Sequence, residues 1–171
     1  IWSAVMIALV FDILSLIAIE NRHVLPISCV HAICKIYLWT VTWEAMAAVW
    51  YVCVDIFKSN DAERKWRNRT WCNAVITNIL IAVLPIHIYD RESSTYTFGA
   101  AVIVTYVIAL MHLFAVAILT TKHKNQMNPR RRNSVLTWII IWITAASIQF
   151  IDNSVLIVGF AGSIGILIIY L

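Results

Sequence analysis

Four ionisable side chains, Asp12, Glu44, Asp55 and His112, interrupt long apolar stretches of this 171-residue chain. Carboxyls and imidazoles bind cations, relay protons or hold polar ligands, and in apolar surroundings each must find a partner. Glu44 is the sharpest candidate: spacings of three and four put it on one helical face with Tyr37, Thr40, Ala48, Tyr51 and Asp55. The same periodicity turns Leu38, Trp39, Val49 and Ile56 outward. His112 shares a face with Ala101, Thr105, Ala109 and Ala115. Counted from the ends of their stretches, Glu44 and His112 lie at matching depths of about 22 and 20 Å. They are expected to share hydrogen bonds, directly or through water. Such a pair is either a ligand or proton site, with Asp12 and Tyr51 as further members, or a polar contact that holds helices together. Asp12 also suits a cation, although no second carboxylate can be assigned to it. Asp55 lies close to Lys58 and Arg64 and reads as half of an ion pair.

The elements that must position these groups follow from composition. Hydrophobic residues make up 61% of the chain and charged ones 13%, against roughly a quarter charged in soluble domains. Lipid as solvent accommodates that excess, since lipid-facing positions need no cover. Apolar stretches run over 1–19, 29–57, 72–89, 99–120, 135–151 and 154–171. The expected fold is all-α, a single polytopic transmembrane helix bundle of five to six spans, an incomplete seven-helix bundle. Only Asp152 and Asn153 divide the last two stretches, which read as two short spans with a tight turn rather than one long helix. The chain opens inside an apolar run without an initiator Met or a basic leader, so it reads as a fragment or a processed piece.

Ten of the 13 basic residues fall in two clusters. Lys58, Arg64, Lys65, Arg67 and Arg69 form the first; Lys122, Lys124, Arg130, Arg131 and Arg132 form the second. The intervening segments carry one basic residue or none. The positive-inside rule then assigns 58–71 and 121–134 to the cytoplasm as loops, with the first helix running outward. Their charge suits a cytosolic transducer or anionic lipid headgroups and does not point to nucleic acid. Pro26 and Pro129 break the chain between stretches, and Pro85 is placed to kink the third.

Other chemistry is thinly represented. Cys29, Cys34, Cys53 and Cys72 contain no C-x-x-C pair and read as buried free thiols. His31, His87 and His112 are unmatched in depth and do not suit bis-histidine haem. Hydrolase, zinc-protease and P-loop signatures are absent. The expectation is a non-enzyme without metal or cofactor. Gly159 and Ser163 have the small-xxx-small spacing of a close helix contact, within the chain or to a partner.

The order of spans, with basic segments after the second and fourth, resembles helices two to seven of a rhodopsin-like G-protein-coupled receptor. Residues 8–14, Ala-Leu-Val-Phe-Asp-Ile-Leu, are similar to the apolar-Asp-Leu stretch of that family's second helix. Ile33-Cys34-Lys35 resembles the cysteine at the start of the third, and Val54-Asp55-Ile56-Phe57 falls near its Asp-Arg-Tyr. The resemblance implies that Asp12 corresponds to the sodium-site acid. It implies a ligand site among Glu44, His112, Asp12 and Tyr51, and a transducer surface at Arg64, Lys65, Arg67, Arg69 and Arg130–Arg132. A small membrane scaffold cut from a viral-type polyprotein is the alternative, and a channel or carrier the third.

Overall fold

The computed structural model describes residues 2–57, 60–91, 94–152 and 157–170, without the side chains of Trp2, Ala4, Asn60, Arg91, Ser94, Ser163, Ile166, Leu167, Ile169 and Tyr170. The expected roles of Lys58 and of the Asn153 turn lie outside these residues, as does any contact of the Ser163 hydroxyl. The described chain is all-α apart from one hairpin. Its elements are α1 (Trp2–Glu20), α2 (Ile27–Ile56), α3 (Asn60–Val83), β1 (His87–Arg91), β2 (Ser94–Phe98), α4 (Ala100–Lys122), α5 (Pro129–Ile151) and α6 (Val158–Tyr170). By length and composition α4 and α5 are long and apolar enough to cross a membrane.

Helix boundaries depart from the apolar stretches where charged residues are themselves good helix formers. Both basic clusters, expected in loops, are largely helical. Arg64–Arg69 lie in α3, which opens with Asp61 and Glu63 in its first turn, the sign its N-terminal dipole favours. Arg130–Arg132 lie in the first turn of α5, where cations are disfavoured. Pro129 at the first helical position and the Asn128 carboxamide, which accepts from the Arg130 N–H at 3.0 Å, start that helix anyway.

The third stretch is shorter than its hydropathy suggests. Pro85 disfavours helical backbone in the residue before it, so α3 ends at Val83 instead of being kinked. His87–Arg91 then pairs antiparallel with Ser94–Phe98, in the register His87 to Phe98 and Tyr89 to Tyr96. The Tyr89 and Tyr96 rings stack with centroids 5.8 Å apart. Gly99 leaves the hairpin at φ 146°, and a side chain there would press on the Pro85 carbonyl at 2.9 Å. Only glycine adopts that backbone without strain.

Helix α2 is the axis of the bundle, with α1, α3 and α4 packed along it. This corrects its expected outward face: Leu38, Val49 and Ile56 are buried, and Trp43, Trp50 and Val54 are exposed instead. Periodicity finds faces, but a helix surrounded by three neighbours has no broad outer one. Helices α5 and α6 are separate and pack against each other. Cys34 and Cys53 are buried free thiols, whereas Cys29 and Cys72 are exposed.

Candidate functional site

Polar side chains converge near the hairpin end of the bundle. The Tyr37 hydroxyl on α2 hydrogen-bonds the Asp12 carboxyl on α1 and the Gln149 side chain on α5. Gln149 Oε1 also accepts the backbone N–H groups of Ile157 and Val158, both at 3.1 Å. It thereby satisfies donors that the first turn of α6 leaves without helical partners. Tyr106 on α4 completes the group and meets Phe150 edge-on, with ring centroids 5.9 Å apart. One side chain thus links three helices.

The start of α6 enters this cluster because it presents almost no side chain. A Cβ at Gly159 would overlap the Asp12 carboxylate, one at Gly162 the Glu44 carboxylate, and one at Gly165 the Trp138 indole. Gly159, Gly162 and Gly165 therefore seat groups from α1, α2 and α5 in turn. Of the close-packing face expected at Gly159 and Ser163, the Gly159 part is internal and continues through Gly162 and Gly165. Sequence gave Asp12 no acidic partner; the fold brings the Glu44 carboxyl within range of its charge. Glu44 is 2% exposed. Among the described residues its Oε1, Asp12 Oδ1 and the Trp138 indole N–H have no hydrogen-bond partner.

His112 is not part of this constellation. The buried line of α4 runs through Ala101, Thr105, Ala109, Leu113 and Val116, so His112 sits one residue, about 100°, off it. Its Nδ1 lies 2.8 Å from the Ile108 carbonyl of its own helix. Matched depth with Glu44 did not include azimuth, and the expected Glu44–His112 hydrogen bond is absent among the described residues. Tyr37, Tyr106 and Gln149, which complete the cluster, are uncharged. Their signal was a polar tip inside an apolar run, which the Tyr37–Glu44 stripe carried only in part.

Above the cluster is a cavity of about 40 Å³, lined among others by Ser15, Tyr37, Thr105, Tyr106 and Gln149 and roofed by Thr95–Thr97 of the hairpin. It has room for water-sized occupants. Arg22, in the α1–α2 turn, ties the roof down. Its guanidinium meets Asp90 Oδ1 at 2.7 Å and the Thr95 hydroxyl at 3.0 Å.

The opposite end of the bundle carries the basic residues. Arg131, at the start of α5, donates to Asp55 Oδ1 at 2.6 Å near the end of α2. That hydrogen bond, and then the charge of Asp55, holds the guanidinium more firmly protonated than usual; Tyr51 adds to the field. Asp55 thus pairs with Arg131, not with the expected Arg64, and Tyr51 lies within range of the same arginine. Arg69 lies over the Trp66 ring at 5.9 Å. Arg64, Lys65, Arg130 and Arg131 are exposed, and Arg67 and Arg132 half-buried. Among the described residues no group of three or more His, Cys, Asp or Glu could hold a metal.

Fold and site together define an all-α bundle with a polar interior and at least two helices able to cross a membrane. No family model, curated protein or solved structure matches the chain.

Proposed function

We propose that the chain is the core of a multi-pass membrane receptor that senses a ligand at its hairpin end and signals through its basic end. The observation that carries the proposal is the course of α2. This one helix contributes Tyr37 to the polar cluster under the hairpin and Asp55 to the exposed ion pair with α5. A helix packed on three sides moves as a rigid unit, so a shift at one end is felt at the other. Exposed apolar side chains on several helices, among them Ile13, Ile79, Met111, Phe114 and Ile140, support burial of the whole bundle in lipid. Five to six spans follow, with the basic ends of α3 and α5 in the cytoplasm. In this reading Asp12, Tyr37 and Glu44 form the polar core. Arg64, Lys65, Arg69, Arg130 and Arg132 face a cytosolic transducer, and release of Arg131 from Asp55 is the switch.

The test is basal nucleotide exchange on purified heterotrimeric G proteins by the chain in lipid nanodiscs. Asp55→Asn should raise exchange several-fold over the parent, and the charge swap Asp55→Arg with Arg131→Asp should restore it. If neither variant alters exchange on any G-protein class, the receptor role is lost and the membrane scaffold takes its place.

A further inference from the structure

A second concavity lies on the outside of the bundle, in the half nearer the basic residues. It encloses about 360 Å³ between three helices. Trp43, Ala47 and Trp50 of α2 form one wall, Arg67, Thr70, Trp71 and Ala74 of α3 the other, and Ser3 and Ile7 of α1 the third side. The hollow exists because Ala47 and Ala74 leave space between large indoles. Trp43, Trp50 and Trp71 are 45%, 44% and 61% exposed, so the rings form a rim instead of filling the space. At its deep end the walls are held together by Asn78, whose side-chain oxygen accepts from the Trp43 indole at 3.1 Å and whose carbonyl accepts from Trp39 at 3.2 Å.

The groove is polarised along the helices. Ser3, Trp50 and Arg67 mark the end near the basic cluster, and Ile7, Trp43 and Ala74 mark the apolar end. Arg67 to Ala74 spans about 10 Å of helix rise. Arg67 is the cation of α3 that reaches the groove. Its contact with Glu63 is long, 3.8 Å, and its guanidinium has five donors, so it can hold an anion as well. Thr70 is spent locally, donating to the Trp66 carbonyl at 3.0 Å. An apolar slot open to one side and closed by a cation at one end matches an acyl chain with an anionic headgroup. Indoles at the rim are favoured where hydrocarbon meets headgroups.

We propose that this groove binds an anionic phospholipid of the cytoplasmic leaflet, its acyl chain between Trp43 and Trp71 and its phosphate on Arg67. The proposal rests on the multi-pass orientation given above. Charge complementarity decides the occupant: an uncharged chain would leave Arg67 unused, and a second copy would have to bury it.

Brominated acyl chains quench tryptophans that they touch, and three of the eight tryptophans line the groove. The full chain is placed in phosphatidylcholine nanodiscs and titrated with brominated phosphatidylglycerol or brominated phosphatidylcholine. The anionic probe should associate about fivefold more strongly than the neutral one, the worth of one cation beside an anionic lipid. Arg67→Gln should remove that preference, and Arg64→Gln, off the groove on the same helix, should leave it. Preference that survives Arg67→Gln, or falls equally in both variants, overturns the site in favour of diffuse attraction. Equal quenching by both probes overturns it while leaving the chain in the bilayer. Quenching by neither overturns the multi-pass orientation as well.

Discussion

Each end of the bundle is tied by an arginine–aspartate pair between elements far apart in sequence, and the two ties are built differently. At the hairpin end Arg22 contacts both Asp90 and Thr95, and Thr95 donates in turn to Asp90 at 2.9 Å. Beneath it Tyr37, Asp12 and Gln149 join three helices. At the basic end Arg131 meets a largely buried Asp55 through one hydrogen-bonded ion pair among the described residues. Arg22 is 20% and Asp90 65% exposed, whereas Arg131 is 56% and Asp55 17% exposed. Solvent thus reaches one partner of each pair and screens both, so the difference lies in how many further polar contacts hold each. Networks of polar contacts fix a geometry; single exposed contacts permit two. The hairpin end, with more contacts, is therefore the frame, and the basic end is the one that can open.

The largest effect should come from the glycines on which the frame closes. Gly165→Ala would drive a methyl into the Trp138 indole, a rigid ring that cannot turn aside. A loss of about 3 kcal/mol is expected, the upper part of the range for overpacking, read from thermal unfolding in detergent. A loss as small as that of an exposed alanine substitution would show that α6 is not locked. Next, Tyr37→Phe removes the hydroxyl shared by Asp12 and Gln149 and should cost about 1–3 kcal/mol. The same change in an Asp12→Ala background should cost clearly less, and additivity of the two would mean that they do not interact. The smallest effects sharpen the comparison directly. Arg22→Gln should cost at most about 1 kcal/mol but speed amide exchange in 87–98. Arg131→Gln should shift unfolding least of all while raising signalling. Equal exchange at both ends in the two variants would remove the distinction between frame and switch.

Much of this was legible in the chain. Hydropathy found six apolar stretches; five contain the greater part of a helix and the third contains half of α3, because a helix satisfies its own backbone polar groups wherever side chains are apolar. The boundaries were legible only where proline or a capping residue was read as such. Pro85 ends α3 rather than kinking it, and Asn128–Pro129, inside an expected loop, starts α5. The candidate site was half visible. Asp12, Glu44 and Asp55 stood out because charge in an apolar run is costly, and all three are at least half-buried. Tyr106 and Gln149 did not stand out, since an amide or a phenol is common at the edge of an apolar helix, and Tyr37 was visible only as a member of the Glu44 face. His112 stood out and was misassigned, because depth along an axis says nothing about rotation around it.

By itself the sequence determined composition, helical periodicity and the clustering of positive charge, all properties of residues near one another in the chain. Which charges meet was decided only in three dimensions. Asp12 and Glu44, thirty-two residues apart, come together because α1 packs along α2, and Gly159 and Gly162 let α6 close over them; Asp55 meets Arg131 because α5 starts beside the end of α2. Pairing depends on how helices are rotated and how closely their backbones approach, and packing sets both.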